Sequence, residues 1–255
     1  MRSVDLHQYR ENRQKLLDQT PKYRELCTTC LQPGFGCYCS HVQRFDPLIN
    51  FVVLIHPIEV KRRIATGRMS HLCLKDSHLI MGQNYSAHDD VNKLIEDPNF
   101  HSVILYPGVK SKNLTPMNEA ERKELFPANK RLRIFVIDGT WATAKKMVRQ
   151  SENLSTLPRI CFSPEKPSTF RVRKQPNPAC YSTIEAIHHT IELIGQSQGF
   201  NTEGREHDKL LHVFDSMVER QLEFIRKAEE KPDHLRYRRD RRRFVTMSDE
   251  MRNSR

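Results

Sequence analysis

Short apolar runs alternate with amphipathic stretches along most of the chain, and that alternation predicts the fold class. "FVVLI", Phe51 to Ile55, is continuously apolar, the pattern of a strand covered on both faces. "HLIM" from His78 reads as a weaker strand and "HSVILY" from His101 as a third, stopped by Pro107 and Gly108. "RLRIFVID" from Arg131 is the strongest strand signal, and "PRICF" from Pro158 gives a fifth. Residues up to about Arg24 read as a charged helix, and a basic helix is expected after Pro57. "TPMNEAERKELF" predicts a helix capped by Thr115, and "TWATAKKMVRQS" another. Beyond a proline-rich loop, Ile184, Ile187, His188, Ile191 and Ile194 share one helical face. Leu211, Phe214, Val218, Leu222 and Ile225 repeat at helical spacing in a last helix. Strands alternating with helices predict an α/β fold with a mostly parallel sheet. The sequence contains no internal repeat.

Charge changes the picture at one end. The 255 residues can bury a full core, and one main domain with appendages is the expected size. Lys and Arg number 42 against 31 acidic residues, a net charge of +11. About half of that excess lies in Lys231–Arg255, where nine basic residues face four acidic ones. At its centre "RYRRDRRR" carries Arg238, Arg239, Arg241, Arg242 and Arg243. Such a tail cannot bury apolar surface, and a polyanion such as RNA or DNA suits its charge. No apolar run is long enough to span a membrane, and the N-terminus is too polar for a secretory signal. A cytoplasmic protein without membrane association is expected. The chain divides into an N-terminal segment over 1–46, a main domain over 47–230 and a basic tail over 231–255.

Cysteine placement adds a metal. Cys73, Cys161 and Cys180 are scattered and read as reduced thiols, whereas Cys27, Cys30, Cys37 and Cys39 crowd into "CTTCLQPGFGCYC". That CxxC-x6-CxC spacing is too tight for a comfortable disulfide framework and points to metal. Four thiolates suit tetrahedral Zn2+, and Pro33, Gly34 and Gly36 supply the turns that bring two ligand pairs onto one ion. An iron–sulfur cluster is the competing metal. A closed thiolate set leaves no open position, so a structural role is expected rather than a catalytic one.

Three further stretches carry candidate chemistry. In "IDGTW", Asp138 falls where a parallel strand ends, and ligands of open α/β sheets bind outside those carboxyl ends. The competing readings make Asp138 the N-cap of the following helix and Trp141 an ordinary core residue. In "YSTIEA", Ser182 and Glu185 fit a capping box before an apolar helix. The loop from Ser163 to Cys180 offers Arg171, Arg173 and Lys174 either to phosphates or to solvent. P-loop, HExxH and GxGxxG signatures are absent, which argues against NTPase, zincin and Rossmann-type nucleotide chemistry.

Taken in order, these pieces resemble the DTW-domain family, the tRNA-uridine aminocarboxypropyltransferases. The likeness is greatest to bacterial members with an N-terminal cysteine cluster. It rests on "CTTCLQPGFGCYC", "LIHPIEVKRRIATG", "LYPG", "DGTW" with Ala144 after it, and "CYSTIEA", spread from Cys27 to Ala186. The resemblance implies a SPOUT-like α/β enzyme, of a group with knotted members, that uses S-adenosylmethionine as co-substrate. It would transfer the 3-amino-3-carboxypropyl group to N3 of a tRNA uridine, giving acp3U and methylthioadenosine. Matched motif by motif, the resemblance implies cofactor contacts at Thr66, Gly67, Tyr106, Pro107, Gly108, Asp138, Trp141, Ala144, Tyr181, Ser182 and Glu185. Asp138 would be the catalytic group. A zinc-dependent RNA-binding protein without activity and a SPOUT-type RNA methyltransferase are the alternatives.

Overall fold

The computed structural model describes residues 11, 25–60, 62, 64–172 and 180–230. Among these, six strands form one parallel sheet: β1 (Asn50–Ile55), β2 (Ser77–Met81), β3 (Phe100–Leu105), β4 (Lys112–Asn113), β5 (Arg131–Asp138) and β6 (Arg159–Cys161). Their order is β2-β1-β5-β3-β6-β4, and every pairing is parallel. The two longest apolar runs therefore lie at the centre. In register, Ile55 pairs with Asp138 and Leu105 with Val136, so β1, β3 and β5 end at one edge.

Helices cover both faces, which is why the central strands lack polar alternation. Phe51 and Val53 of β1, with Ile134 and Val136 of β5, face one core. That core is closed by α2 (Thr66–Cys73), α7 (Thr183–Ile194) and α8 (Asp208–Glu229). Val52, Leu54 and Phe135 face the other, against α3 (Asp89–Glu96), α5 (Trp141–Gln150) and α6 (Glu152–Ser155). Two short helices are also present among the described residues, α1 (Pro57–Val60) and α4 (Glu119–Glu124). Cys30 and Tyr38 of the cysteine segment belong to the first core, and Arg220 of α8 donates to the Cys37 carbonyl at 2.6 Å. The N-terminal segment is thus packed onto the body of the fold.

Four local expectations change. Asn118, not Thr115, caps α4, in a capping box with Glu121. Thr115 instead joins β4 to the strand beside it: its hydroxyl accepts from the Ser163 amide at 2.9 Å. The buried stripe of α8 is Leu210, Val213, Phe214, Met217 and Val218, while Leu211 is only partly covered and Ile225 is 42% exposed. Both stripes have helical spacing, and only packing against α2 and α7 selects between faces rotated by one residue. Thr140 caps α5, accepting from the Thr143 amide at 3.2 Å, so Asp138 is not the cap. Trp141 is 48% exposed at the first position of α5 and is not core. The predicted helix before Arg24, and Arg173, Lys174, Arg238, Arg239, Arg241, Arg242 and Arg243, lie outside the described residues.

Candidate active site

A cavity of about 900 Å3 opens beyond the carboxyl ends of β3, β5 and β6. Its size and position match the usual ligand site of a parallel sheet. Leu105, Tyr106 and Pro107 line it from the end of β3, and Cys161 and Phe162 from the end of β6. Gly139, Thr140, Trp141 and Ala144 contribute from the β5–α5 turn, and Tyr181, Ser182, Thr183 and Ala186 from the start of α7. The β5–α5 turn is tight: a Cβ on Gly139 would lie 2.7 Å from Thr143 Oγ1. A side chain at this position would force Thr143 to move, so the turn favours glycine.

Of the residues singled out in the sequence, Tyr106, Pro107, Trp141, Ala144, Tyr181 and Ser182 meet in this wall. Thr66, Gly67, Asp138 and Glu185 stand behind it, buried, and Gly108 follows Pro107 outside the lining. Asp138 is 3% exposed. Its Oδ1 accepts from the Thr183 hydroxyl at 2.5 Å, and its backbone carbonyl accepts from His56 N at 2.9 Å. Thr183, Thr140 and Arg62 also reach the lining, and sequence reasoning did not single them out. Thr183 stands next to Ser182 in the "CYSTIEA" motif, and its place beside a motif residue is the only local signal it carries.

Glu185 fills a different role from a ligand contact. Its carboxylate accepts from Ser182 N at 2.8 Å and Ser182 Oγ at 2.6 Å, as in a capping box. It also accepts from Ser168 Oγ at 2.8 Å, Thr169 N at 2.7 Å and Thr169 Oγ1 at 3.2 Å. One buried carboxylate thereby fastens the proline-rich loop to α7 and sets the wall that Phe170 and Val172 add to the cavity. On the same loop the Arg171 guanidinium pairs with Glu219 of α8.

Burial keeps Tyr106, Tyr181 and Cys161 of the wall neutral. It raises the Tyr106 phenol, against the opposing pull of the Arg159 guanidinium. Burial, and then the Glu185 charge, raise Tyr181. Burial likewise raises the Cys161 thiol and lowers His189, whose ring stands edge-on to Phe162 at 4.7 Å. The cavity is consequently an aromatic chamber whose wall carries one cation, Arg62, with the Asp138 carboxylate just behind one side.

The four clustered cysteines converge. Cys27 Sγ lies 3.7 Å from Cys39 Sγ, and Cys30 Sγ 3.6 Å from Cys37 Sγ, with all four sulfurs within 4.8 Å of one another. A disulfide requires about 2.05 Å. Tetrahedral zinc at about 2.3 Å from sulfur separates its ligands by about 3.8 Å, which these contacts match. The backbone amides of Cys30 and Thr29 pull the Cys27 thiol down to about 6, whereas burial raises Cys30 and Cys39. None of the four lines the cavity.

His188, Glu192, His207 and Asp208 also lie close enough together to hold an ion. Arg205 already supplies positive charge there, donating to Glu192 Oε1 at 2.5 Å and to Asp208 at 2.7 and 2.9 Å. His188 and His207 complete the network from α7 and the start of α8, which braces the loop between the two helices.

The fold and site define a parallel-sheet α/β protein with a cavity at the carboxyl ends of its strands and a separate four-cysteine cluster that could hold a metal ion. The chain belongs to the DTW-domain family, which matches residues 24–222. It is 27% identical over 181 residues to the Drosophila melanogaster protein named tRNA-uridine aminocarboxypropyltransferase 2, covering 68% of each chain. It is 25% identical over 175 residues to the Mus musculus protein of the same name, covering 67% of this chain and 57% of that one. The Arabidopsis thaliana tRNA-uridine aminocarboxypropyltransferase A is 25% identical over 242 residues, covering 84% and 88% respectively. No solved structure matches the chain. No helix among the described residues is long and apolar enough to cross a membrane.

Proposed function

We propose that this protein transfers the 3-amino-3-carboxypropyl group of S-adenosylmethionine to N3 of a uridine in tRNA, releasing methylthioadenosine. The observation that carries this reading is the aromatic cavity at the carboxyl ends of β3, β5 and β6, in a DTW-domain chain whose relatives carry that enzyme name. The chamber is large enough for a nucleoside-sized ligand; its aromatic side chains suit a purine and a sulfonium, and the lining Arg62 suits a carboxylate. Bound there, S-adenosylmethionine supplies carbons made electrophilic by the sulfonium.

The chain's own residues hold and steer the reacting groups. Trp141, half exposed at the mouth, offers an indole face to a cation or a base. Ala144 and Gly139 keep the floor low. Asp138 supplies negative charge and a proton acceptor beside the reacting centre. The basic outer face of α5, with exposed Lys145, Lys146 and Arg149, and the tail beyond residue 230 supply attraction for the tRNA backbone. Zinc at Cys27, Cys30, Cys37 and Cys39 braces the fold. We place the reaction in the cytoplasm.

The test is to incubate the full chain with bulk tRNA and S-adenosylmethionine and to identify the small product. Methylthioadenosine is expected. S-Adenosylhomocysteine would instead make the protein a methyltransferase, and neither product would leave an RNA-binding protein.

A further inference from the structure

Asp138 has a placement that a directly acting base would not have: it is buried behind the cavity wall, not in it. Thr183 touches both Asp138 and the cavity. Thr183 lines the cavity, and its hydroxyl donates to Asp138 Oδ1 at 2.5 Å. That distance is at the short end of O–H···O hydrogen bonds.

A threonine hydroxyl has one proton and two lone pairs. With the proton committed to Asp138, the hydroxyl can offer the cavity only an acceptor. We infer that Thr183 is the catalytic residue that meets the acceptor base, taking the N3 proton of the uridine while passing its own proton to Asp138 Oδ1. This inference rests on the transfer reaction proposed above. The balance closes: the N3–H electrons become the new N3–C bond, and the C–S electrons remain on sulfur. The proton ends on the Asp138 carboxylate. A cationic donor, a neutral uridine and an aspartate anion become neutral methylthioadenosine, the zwitterionic product and a neutral acid.

The same arrangement selects the base. Uracil presents a donor at N3, which an acceptor-only hydroxyl receives. Cytosine presents a lone pair there, which the hydroxyl repels and leaves unpaired in a desolvated site. Placing the carboxylate one hydroxyl away also keeps it out of water between turnovers.

The experiment compares wild-type protein with Thr183→Val, which keeps the shape, and Thr183→Ser, which keeps the hydroxyl. Single-turnover formation of methylthioadenosine on tRNA, S-adenosylmethionine affinity and melting temperature are read for each. The Val variant is expected to lose about 100-fold in rate, with its S-adenosylmethionine affinity within a few-fold of wild type, and Ser to restore most of the rate. A Val variant that turns over near the wild-type rate overturns the proposal, as does a Ser variant damaged as severely as Val. Should Val fail to fold, Thr183→Ala against Ser gives the same comparison. A wild-type protein that makes no methylthioadenosine removes the transfer reading itself, whereas active wild type with an unaffected Val variant removes Thr183 alone.

Discussion

Gly67 and Asp138 share one packed contact, the glycine at the start of α2 and the aspartate at the end of β5. A Cβ on Gly67 would overlap the Asp138 carboxylate and lie 2.8 Å from Val53 Cγ1. The "TG" and "DGTW" motifs, some seventy positions apart, are therefore two sides of a single steric fit. Gly67→Ala gains up to about 1 kcal/mol of helix propensity. It also overpacks a site backed by a central strand, which costs about 1–3 kcal/mol. The expected outcome is a modest net loss of stability in denaturant unfolding, with a disproportionate loss of turnover because the carboxylate must shift.

Asp138→Asn separates support from chemistry. Thr140 already caps α5, and an asparagine amide oxygen can still accept from Thr183. The variant should fold with a loss within about 2 kcal/mol. Removing the charge and the proton acceptor should lower turnover by about 100-fold or more. Melting temperature and transfer rate measured together decide the matter: a folded variant with near-normal turnover would leave Asp138 as a structural turn residue.

Glu185→Gln tests the loop clasp. Ser182, Ser168 and Thr169 all present donors to this one carboxylate, and glutamine replaces one acceptor oxygen with another donor. The buried mismatch should cost about 1–3 kcal/mol. Limited proteolysis within the loop from Ser163 to Cys180 should accelerate more than global unfolding explains. Equal protection in both proteins would mean that the loop is held by something other than this carboxylate.

Much of this was legible from the chain because the strongest signals were local. The apolar run of β5 and its terminal aspartate located the cavity end of the sheet, and the cysteine spacing located four sulfurs that do converge. What the sequence could not carry was choice among equivalent local patterns. Asp138 and Thr140 are both good caps, two residues apart, and only the turn geometry gives the role to Thr140. On α8, Phe214 and Val218 are buried as the spacing predicts, but Leu210, Val213 and Met217 are buried in place of Leu211 and Ile225, because two overlapping apolar faces satisfy the same period. Thr183 escaped notice because its importance lies in a contact with a residue 45 positions away.

Metal removal should act on stability and leave ligand binding nearly intact. Cys30 and Tyr38 are almost fully buried in the main core, so an empty centre would leave the Cys30 thiol desolvated without an ion beside three half-buried thiols. Chelation, or Cys30→Ser, is expected to lower the melting temperature clearly, because metal-binding energy at a structural site is folding energy. S-Adenosylmethionine affinity of the fraction still folded should change little, since no cysteine ligand touches the cavity. Metal analysis should give one zinc per chain; an absorbing iron–sulfur chromophore would correct the metal.

The last expectation concerns how tRNA is held. Lys231–Arg255 contains nine basic and four acidic residues, and the exposed Lys145, Lys146 and Arg149 lie on α5, whose first residue is Trp141 at the cavity mouth. Each phosphate neutralised contributes a slope of about −0.7 to −0.9 in log affinity against log salt. Deleting 231–255 should therefore weaken tRNA binding at low salt and flatten that slope, with S-adenosylmethionine affinity unchanged. Replacing Lys145 and Lys146 with glutamate should act differently. If charges beside the mouth position the tRNA as well as attract it, the transfer rate at saturating tRNA should fall along with affinity. An unchanged salt slope after the deletion would make the tail a solubilising segment, and the α5 face would then carry the electrostatic contact alone.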